Sequence, residues 1–506
     1  MLSKITSAAI LGVDGYLVFV EVDVNQGLPA FDIVGLPDSA VKESRDRVRT
    51  AIRNAGLPFP VKRITVNLAP ADTRKVGPAF DLPIAVGILV CMEVLSQEDV
   101  EGICFSGELS LDGAVRPVNG LLPMALAAKA NGIGTCCVAR ENAEEAALVG
   151  DMQVIVLENI TDLTDLFDRL YVAPTGDTQK NYSLSSYNID FADVKGQQFV
   201  KRALEVAAAG SHNALIIGPP GAGKTMLAHR MPSIMPDLSL DESLEITKIY
   251  SIAGLLDKKH ARMTERPFRS PHHTSSPVAL SGGGRIPMPG EISLAHNGIL
   301  FLDELPEFEK RALEILRQPL EDGVVTISRV NGTLSFPSRF MLLASMNPCP
   351  CGYFGSGTNK CNCTQNEIDR YLRKVSGPML DRMDIQVEAA NIDYDDFEQP
   401  LGESSATIKA RVLKAHEIQQ RRFAAEGGIH SNAQMTAPMV ERYCLLGKPE
   451  KGIIRQAFEH LGLSARAYHK ILKMARTIAD LDGAEDISVM HLTETLSYRS
   501  LDRKYW

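Results

Sequence analysis

Apolar and polar positions interleave along Tyr16-Leu17-Val18-Phe19-Val20-Glu21-Val22-Asp23, and this period of two predicts a strand with one buried face. The preceding Ile5 to Val13 stretch is apolar enough to mimic the core of a signal peptide, but it runs straight into the strand pattern. Leu82 to Met92 is the longest uninterrupted apolar segment, contains Pro83 and closes at Glu93. It predicts a buried helix, well short of the roughly 20 residues of a membrane span. Val154-Ile155-Val156-Leu157 predicts a further strand and Ile160 to Leu170 a helix, so residues 1–172 read as one α/β domain. The polar stretch from Ala173 to Ser186, with Pro174 and Gly176, has linker composition, and the linker is set at 173–189.

From Phe191 to about Ala390 the pattern changes to alternating strands and helices, with apolar strands at Ala214 to Ile217, Gly298 to Leu302 and Phe340 to Met346. That order predicts a mostly parallel sheet over residues 190–394. Val324 to Val330 and Thr333 to Phe336 flank Asn331-Gly332, which predicts a hairpin with its turn at that dipeptide. Beyond Asp393 the periodicity is helical, at Ile408 to Gln420, Pro438 to Leu446, Gly452 to Leu461 and Ala465 to Leu481, giving a helical domain over 395–506.

Composition narrows this only a little. With 506 residues, 45% hydrophobic and 23% charged, the chain is ordinary for a multidomain globular protein. A net charge of -9 argues against a uniformly basic coat, so any nucleic-acid contact must come from local basic elements. The absence of a membrane-length segment and the scattered cysteines point to the cytoplasm and to no membrane partner.

The chemistry begins at Gly218-Pro219-Pro220-Gly221-Ala222-Gly223-Lys224-Thr225, directly after an apolar strand. Glycines let successive backbone N–H groups turn inward around a polyphosphate, Lys224 reaches the terminal phosphates and the Thr225 hydroxyl ligates magnesium. This predicts ATP and Mg2+ as cofactors. Asp303 and Glu304 end the next apolar strand, where Asp303 would orient magnesium and Glu304 would polarise the attacking water. Asn347 ends the third strand, placed to hydrogen-bond the γ-phosphate and the lytic water.

Gly377-Pro378-Met379-Leu380-Asp381-Arg382 resembles the segment in which AAA+ proteins place an arginine finger, and Ser464-Ala465-Arg466 resembles their second sensor. On spacing alone either arginine equally reads as an exposed helix residue. The ordered set resembles the AAA+ family, specifically its magnesium-chelatase-like branch, over about residues 190 to 506. Within that branch Arg266-Pro267-Phe268-Arg269-Ser270-Pro271-His272-His273-Thr274 and Asn347-Pro348-Cys349-Pro350-Cys351-Gly352 resemble the YifB/ComM proteins. The resemblance implies an AAA+ phosphate-loop core with a helical lid and a ring, usually of six, in which Arg382 serves the neighbouring subunit. It leaves open which subunit Arg466 serves. It also implies ComM-type DNA translocation and branch migration, against a protein-remodelling chaperone or a magnesium-chelatase motor subunit.

Phe105-Ser106-Gly107-Glu108-Leu109 through Asn119-Gly120 resembles the proteolytic domain of Lon protease, a fold that YifB/ComM proteins also carry. The resemblance places a serine nucleophile where this chain has Ala79 and a lysine base where it has Leu122. A serine without an activating base is inert, and here both groups are missing, so no peptidase activity is expected.

Cys349, Cys351, Cys361 and Cys363 form two Cys-x-Cys pairs, which can close a tetrahedral structural zinc site or remain reduced thiols. Asp257 to Gly290 holds six Lys or Arg against two acids, an island that reads as a solvated loop or as a DNA grip. Its candidate contacts are Arg266, Arg269, His272, His273 and Arg285 beside a Gly282-Gly283-Gly284 tip, joined by Arg329 near the hairpin turn. Cationic loops in a narrow channel hold a phosphate backbone without reading sequence, so branched or single-stranded DNA is the expected partner. The basic, aromatic carboxy terminus, Arg499 to Trp506, reads either as a nucleic-acid contact or as a frayed or packed end.

Overall fold

Strand residues that alternate between two covered faces organise the central domain. Ala214 and Ile216 pack into one apolar cluster while Leu215 and Ile217 pack into another, and Ile299/Phe301 and Leu300/Leu302 divide the same way. A sheet buried on both faces is the signature of parallel strands sandwiched by helices. The computed structural model describes residues 1–171, 189–257, 261–284, 287–329, 332–355, 360–391, 398, 402–461, 464–499 and 501. The expected linker at 173–189, the Arg285 position and the end of the carboxy terminus thus lie almost wholly outside the described residues.

The central sheet has five parallel strands in the order Phe268–Arg269, Ile299–Leu302, Met341–Met346, Ala214–Ile217 and Ile385–Glu388. Pairing Ile217 with Met346 sets Gly218 beside Asn347. Pairing Leu302 with Ala344 likewise sets Asp303 beside Ser345. Three polar strand ends therefore converge at the carboxyl edge, where open α/β sheets bind ligands.

Residues 1–171 form a separate seven-stranded mixed sheet, ordered Ala30–Val34, Arg63–Ala69, Asp14–Asn25, Leu2–Leu11, Ile103–Phe105, Thr135–Ala139 and Gln153–Leu157. The expected strand at Tyr16 is the second arm of a long antiparallel hairpin with Leu2–Leu11. The apolar run is the helix Asp81–Cys91, all of whose residues are buried. It lies so close to the sheet that a Cβ at Gly87 would come within 2.5 Å of Val22. Its one carboxylate, Asp81, is fully buried and neutralised by two hydrogen bonds from Arg47 at 2.7 and 3.0 Å.

The helix Leu240–Ala253 joins the two sheets. Ser239 caps its start in a reciprocal pair with Glu242, and Gly254 ends it in the left-handed conformation at φ 67°. Near that end the Gly120 N–H donates to the Ser251 carbonyl at 3.1 Å and the Ser251 hydroxyl donates to Glu145. At the opposite end Arg266 pairs with Glu242 and donates to the carbonyls of Pro236 and Asn297.

The lid begins with Ser405–Phe423 and centres on Ala465–Leu481, whose Met474 and Ile478 complete the core beneath the sheet. Its firmest link is Asp384, at the foot of the last strand. That carboxylate accepts the Asn213 N–H at 3.1 Å and lies 2.8 Å from Lys470 and 3.5 Å from His212. Lys470 and His212 hold it well below the usual carboxylate range, against the cost of its burial. Asp384→Asn strands those cations, and calorimetry should show a loss of about 3–5 kcal/mol. Because the folded value is depressed, this contribution is complete above an unfolded pKa of about 3.9 and is lost as pH falls below it.

Three local expectations are corrected. Ile160–Arg169 is a tight 3-10 segment broken at Asp165, whose φ of -120° and ψ of 41° are not helical. In the hairpin Val324–Arg329 with Gly332–Pro337, Gly332 already pairs with Arg329, so it belongs to the strand and not to the turn expected at Asn331-Gly332, while 330–331 lie outside the described residues. Opposing Val325 with Phe336 and Ile327 with Leu334 buries both apolar pairs, or partly buries Leu334, and that burial outweighs the turn preference of Asn-Gly. Gly282-Gly283 is no free tip, since both residues pair with Met288–Pro289 and a Cβ on Gly282 would lie 2.3 Å from the Met288 carbonyl. The helix Val489–Ser497 was not expected at all.

Candidate nucleotide site

At the carboxyl edge of the central sheet the loop after Ile217 turns through Gly221 and Gly223, each at φ 81°, before the helix Lys224–Arg230 begins. An L-residue with a side chain is strained at such angles, which explains the glycines. Lys224 donates to the carbonyls of Gly218 and Pro219 at 2.7 and 3.0 Å and to Asn347 Oδ1 at 3.1 Å. Burial pushes its ammonium below the ordinary value, while Asp303 and Glu304 pull it back.

Thr225 Oγ1 donates to Asp303 Oδ2 at 2.8 Å, and the Ser345 hydroxyl donates to the other Asp303 oxygen. Ser345 is a functional neighbour that sequence reading missed. It is an isolated small polar residue in an apolar strand, and only the pairing register aims it at Asp303. Glu304 turns out of the strand end in the left-handed conformation at φ 53°, leaving its side chain 56% exposed. His273 Nδ1 lies 3.5 Å from its carboxylate, with His272 stacked behind at 4.1 Å between ring centroids. His273 of the expected DNA loop thus stands at Glu304, with His272 behind it.

The donor set fits a polyphosphate and a magnesium ion. Lys224 and the glycine loop supply cationic and N–H groups on one side, and Thr225 and Asp303 are already within bonding distance of each other on the other side. Bound magnesium would screen the phosphate charge there. Asn347 and Glu304 stand on adjoining edges, one an amide donor and the other a carboxylate able to take a proton from water.

Arg382 and Arg466 are brought together, but not here. Arg382 pairs with Glu321, and Arg466 Nη2 lies 3.7 Å from the same carboxylate. The Arg382 carbonyl accepts from Asn213, which precedes the strand that Gly218 follows. Four strand residues, hence five residue-to-residue steps, separate those anchors, roughly 16 Å. Both arginines sit at the amino edge, beyond reach of their own phosphate loop.

The four cysteines converge as well. All four sulfur atoms lie within 4.8 Å of one another, with pairs at 3.3, 3.6 and 3.9 Å. A tetrahedron with Zn–S of about 2.3 Å needs S···S near 3.8 Å, so the cluster matches a structural zinc site. The Tyr353 backbone N–H brings the Cys351 thiol down to about 6, while the neighbouring sulfur atoms push Cys361 and Cys363 up. Gly352, at φ 84°, sits against the phosphate loop, and a Cβ there would come within 2.5 Å of Pro220.

Of the expected DNA contacts, Arg266 spends its donors on both Glu242 oxygens and on the carbonyls of Pro236, Asp237 and Asn297, so it is a strut. Arg269 is paired with Glu291 through two bonds at 2.6 and 2.7 Å. Arg285 lies outside the described residues, and Arg329 is placed only by its backbone, as the last paired residue of its strand.

A phosphate loop, an acidic strand end, an amide strand end and an arginine pair at the far edge define a magnesium-chelatase-like AAA+ protein, a class that hydrolyses ATP. Residues 190–397 match the family model described as magnesium chelatase, subunit ChlI, residues 402–499 match its C-terminal counterpart, and residues 20–142 match subunit ChlI of Mg-chelatase. The chain is 44% identical over 508 residues to Competence protein ComM of Haemophilus influenzae, covering 99% of this chain and 98% of that protein. It is 44% identical over 504 residues to Uncharacterized protein YifB of Salmonella typhimurium, with the same coverage. The Magnesium-chelatase 38 kDa subunit of Cereibacter sphaeroides is 22% identical over 335 residues, 61% of this chain and 91% of that one. The chain belongs to the YifB/ComM family. No helix among the described residues is long and apolar enough to cross a membrane.

Proposed function

We propose that this protein assembles into a ring, usually of six, that couples ATP hydrolysis to movement of DNA, in the manner of a ComM-type branch-migration helicase. The observation that carries the ring is the separation of Lys224 from Arg382 and Arg466 within one chain. A complete site needs the amino edge of one subunit against the carboxyl edge of the next, a head-to-tail contact that closes into a ring. In such a site Lys224 holds the phosphates, Thr225 and Asp303 hold magnesium, and Glu304 orients the water. Asn347 reports the γ-phosphate, and the neighbour's arginines stabilise the charge of transfer.

DNA as substrate is supported by the name of the ComM relative and by the basic segment between Asp257 and Gly290. Arg266 and Arg269, each neutralised by a carboxylate, are left out of this surface. His272, His273, Arg285 and Arg329 remain its candidates, with His273 beside Glu304 as well. The match to chelatase models favours a second reading, a chelatase motor indifferent to DNA. Measuring ATPase rate with single-stranded, duplex and branched DNA decides between them, because no stimulation by any form removes the helicase reading. Arg329→Ala is expected to lower the DNA stimulation and its salt dependence while leaving the DNA-free rate unchanged.

The amino-terminal domain serves as a scaffold in this reading, without peptidase activity. Ala79 and Leu122 fall in one buried apolar cluster, with no polar side chain in their place to act as nucleophile or base. Casein incubated with the protein and ATP should release no peptides. Zinc is proposed for the four cysteines. Elemental analysis of untagged protein should find one zinc per chain, and Cys361→Ser should abolish it and lower the melting temperature.

A further inference from the structure

Arg382 is the more buried of the two trans-acting candidates, with only 10% of its side chain exposed, while Arg466 is 68% exposed. A guanidinium that buried cannot reach a phosphate on another subunit without moving. Its partners show what holds it. Nη1 donates to the Pro378 carbonyl at 2.5 Å, Nη2 donates to Glu321, and the buried Nε has no partner.

Glu321 lies near the end of the short helix Arg317–Asp322, just before Gly323 turns the chain at φ 68°. It is 49% exposed, and it faces Arg382 on one side and Arg466 on the other. Burial pushes the Arg382 guanidinium below its ordinary value, Glu321 opposes this, and Arg317 and Arg466 add to it. Glu321 thus faces two guanidinium groups, while Arg317 and Asp381 act on Arg382 from nearby with opposite signs. The cluster keeps an excess of positive charge and an unused buried donor, and it lines a cavity of about 590 Å³ between the sheet edge and the lid. A phosphoryl group carries more charge than one carboxylate and accepts two guanidinium bonds at once, so it can compete for this pair.

We propose that Glu321 is a positioning residue that holds Arg382 and Arg466 away from the neighbouring subunit's nucleotide until that nucleotide's γ-phosphate draws them out. The proposal deepens the ring reading above and rests on it. Glu321 then sets the resting rate of the ring: while the pair is held, hydrolysis is slow, and closure of the subunit contact exchanges one anion for another. No group is consumed in the exchange, which is a competition between a carboxylate and a phosphate for the same donors.

The experiment compares full-length Glu321→Gln, Glu321→Asp and Arg382→Ala in steady-state ATP hydrolysis, with melting curves as a folding control. Glu321→Gln should raise the DNA-free kcat roughly fivefold and lower the KM for ATP, a size at the low end of coupling between sites. Glu321→Asp should return both towards the unaltered protein. A DNA-free kcat for Glu321→Gln equal to or below that of the unaltered protein overturns the proposal. Arg382→Ala separates the two levels. If it abolishes hydrolysis while Glu321→Gln changes nothing, the ring site stands and only the latch fails. If Arg382→Ala keeps the full rate, the ring reading fails and the latch with it.

Discussion

Glu304→Gln is expected to reduce ATP hydrolysis by about 10²–10⁴-fold, the usual worth of a positioned general base, while ATP binding persists. The loss follows from placement. Glu304 leaves its strand in a left-handed turn with its carboxylate 3.5 Å from His273, while Thr225 and Asp303 bond each other without it. An amide keeps the shape and the hydrogen-bonding reach but cannot take the proton from water. Binding of a fluorescent ATP analogue, measured beside phosphate release, checks both halves of the result. Equal loss of binding would show that Glu304 is part of the cradle. Lys224→Ala makes the opposite control, since Lys224 is tied to the loop carbonyls and Asn347 and its removal should abolish binding itself.

Arg382→Ala is expected to cost about 10³–10⁵-fold in hydrolysis, the range of an arginine finger, with nucleotide binding to the same chain retained. The decisive measurement mixes inactive proteins. A subunit with Arg382→Ala keeps an intact phosphate loop, and one with Lys224→Ala keeps an intact arginine. Random co-assembly in equal amounts makes about a quarter of the head-to-tail contacts complete, and activity should reappear on mixing two dead preparations. A mixture no more active than its components would place Arg382 in cis, against the roughly 16 Å that the intervening strand imposes.

Much of this architecture could be read from residue patterns because it depends on short-range rules. The strand Ala214–Ile217, the glycine turn and the helix Lys224–Arg230 lie where apolar run, φ requirement and helix propensity agree. What escaped the sequence depends on register and on long-range pairing. Ser345 is one hydroxyl among apolar neighbours until Leu302 pairs with Ala344. Glu321 is one acid among many until the Gly377–Leu380 turn and the Ala465–Leu481 helix converge on it. Arg266 and Arg269 were read as free cations because a charge count carries no information about Glu242 and Glu291, which neutralise them. Gly332 joined the strand instead of the turn for a related reason, since burial of Ile327 and Phe336 outweighs the local preference of Asn-Gly.

The helix Leu240–Ala253 is anchored at both ends to different machinery. Its 14 residues span about 21 Å, with Arg266 fastening the first turn to the Asn297 carbonyl, two residues before the strand that carries Asp303. Its last turn is fastened to the amino-terminal sheet through Gly120 and Glu145. One helix therefore ties the amino-terminal sheet to the segment that leads into the Asp303 strand, so a displacement of either is handed directly to the other.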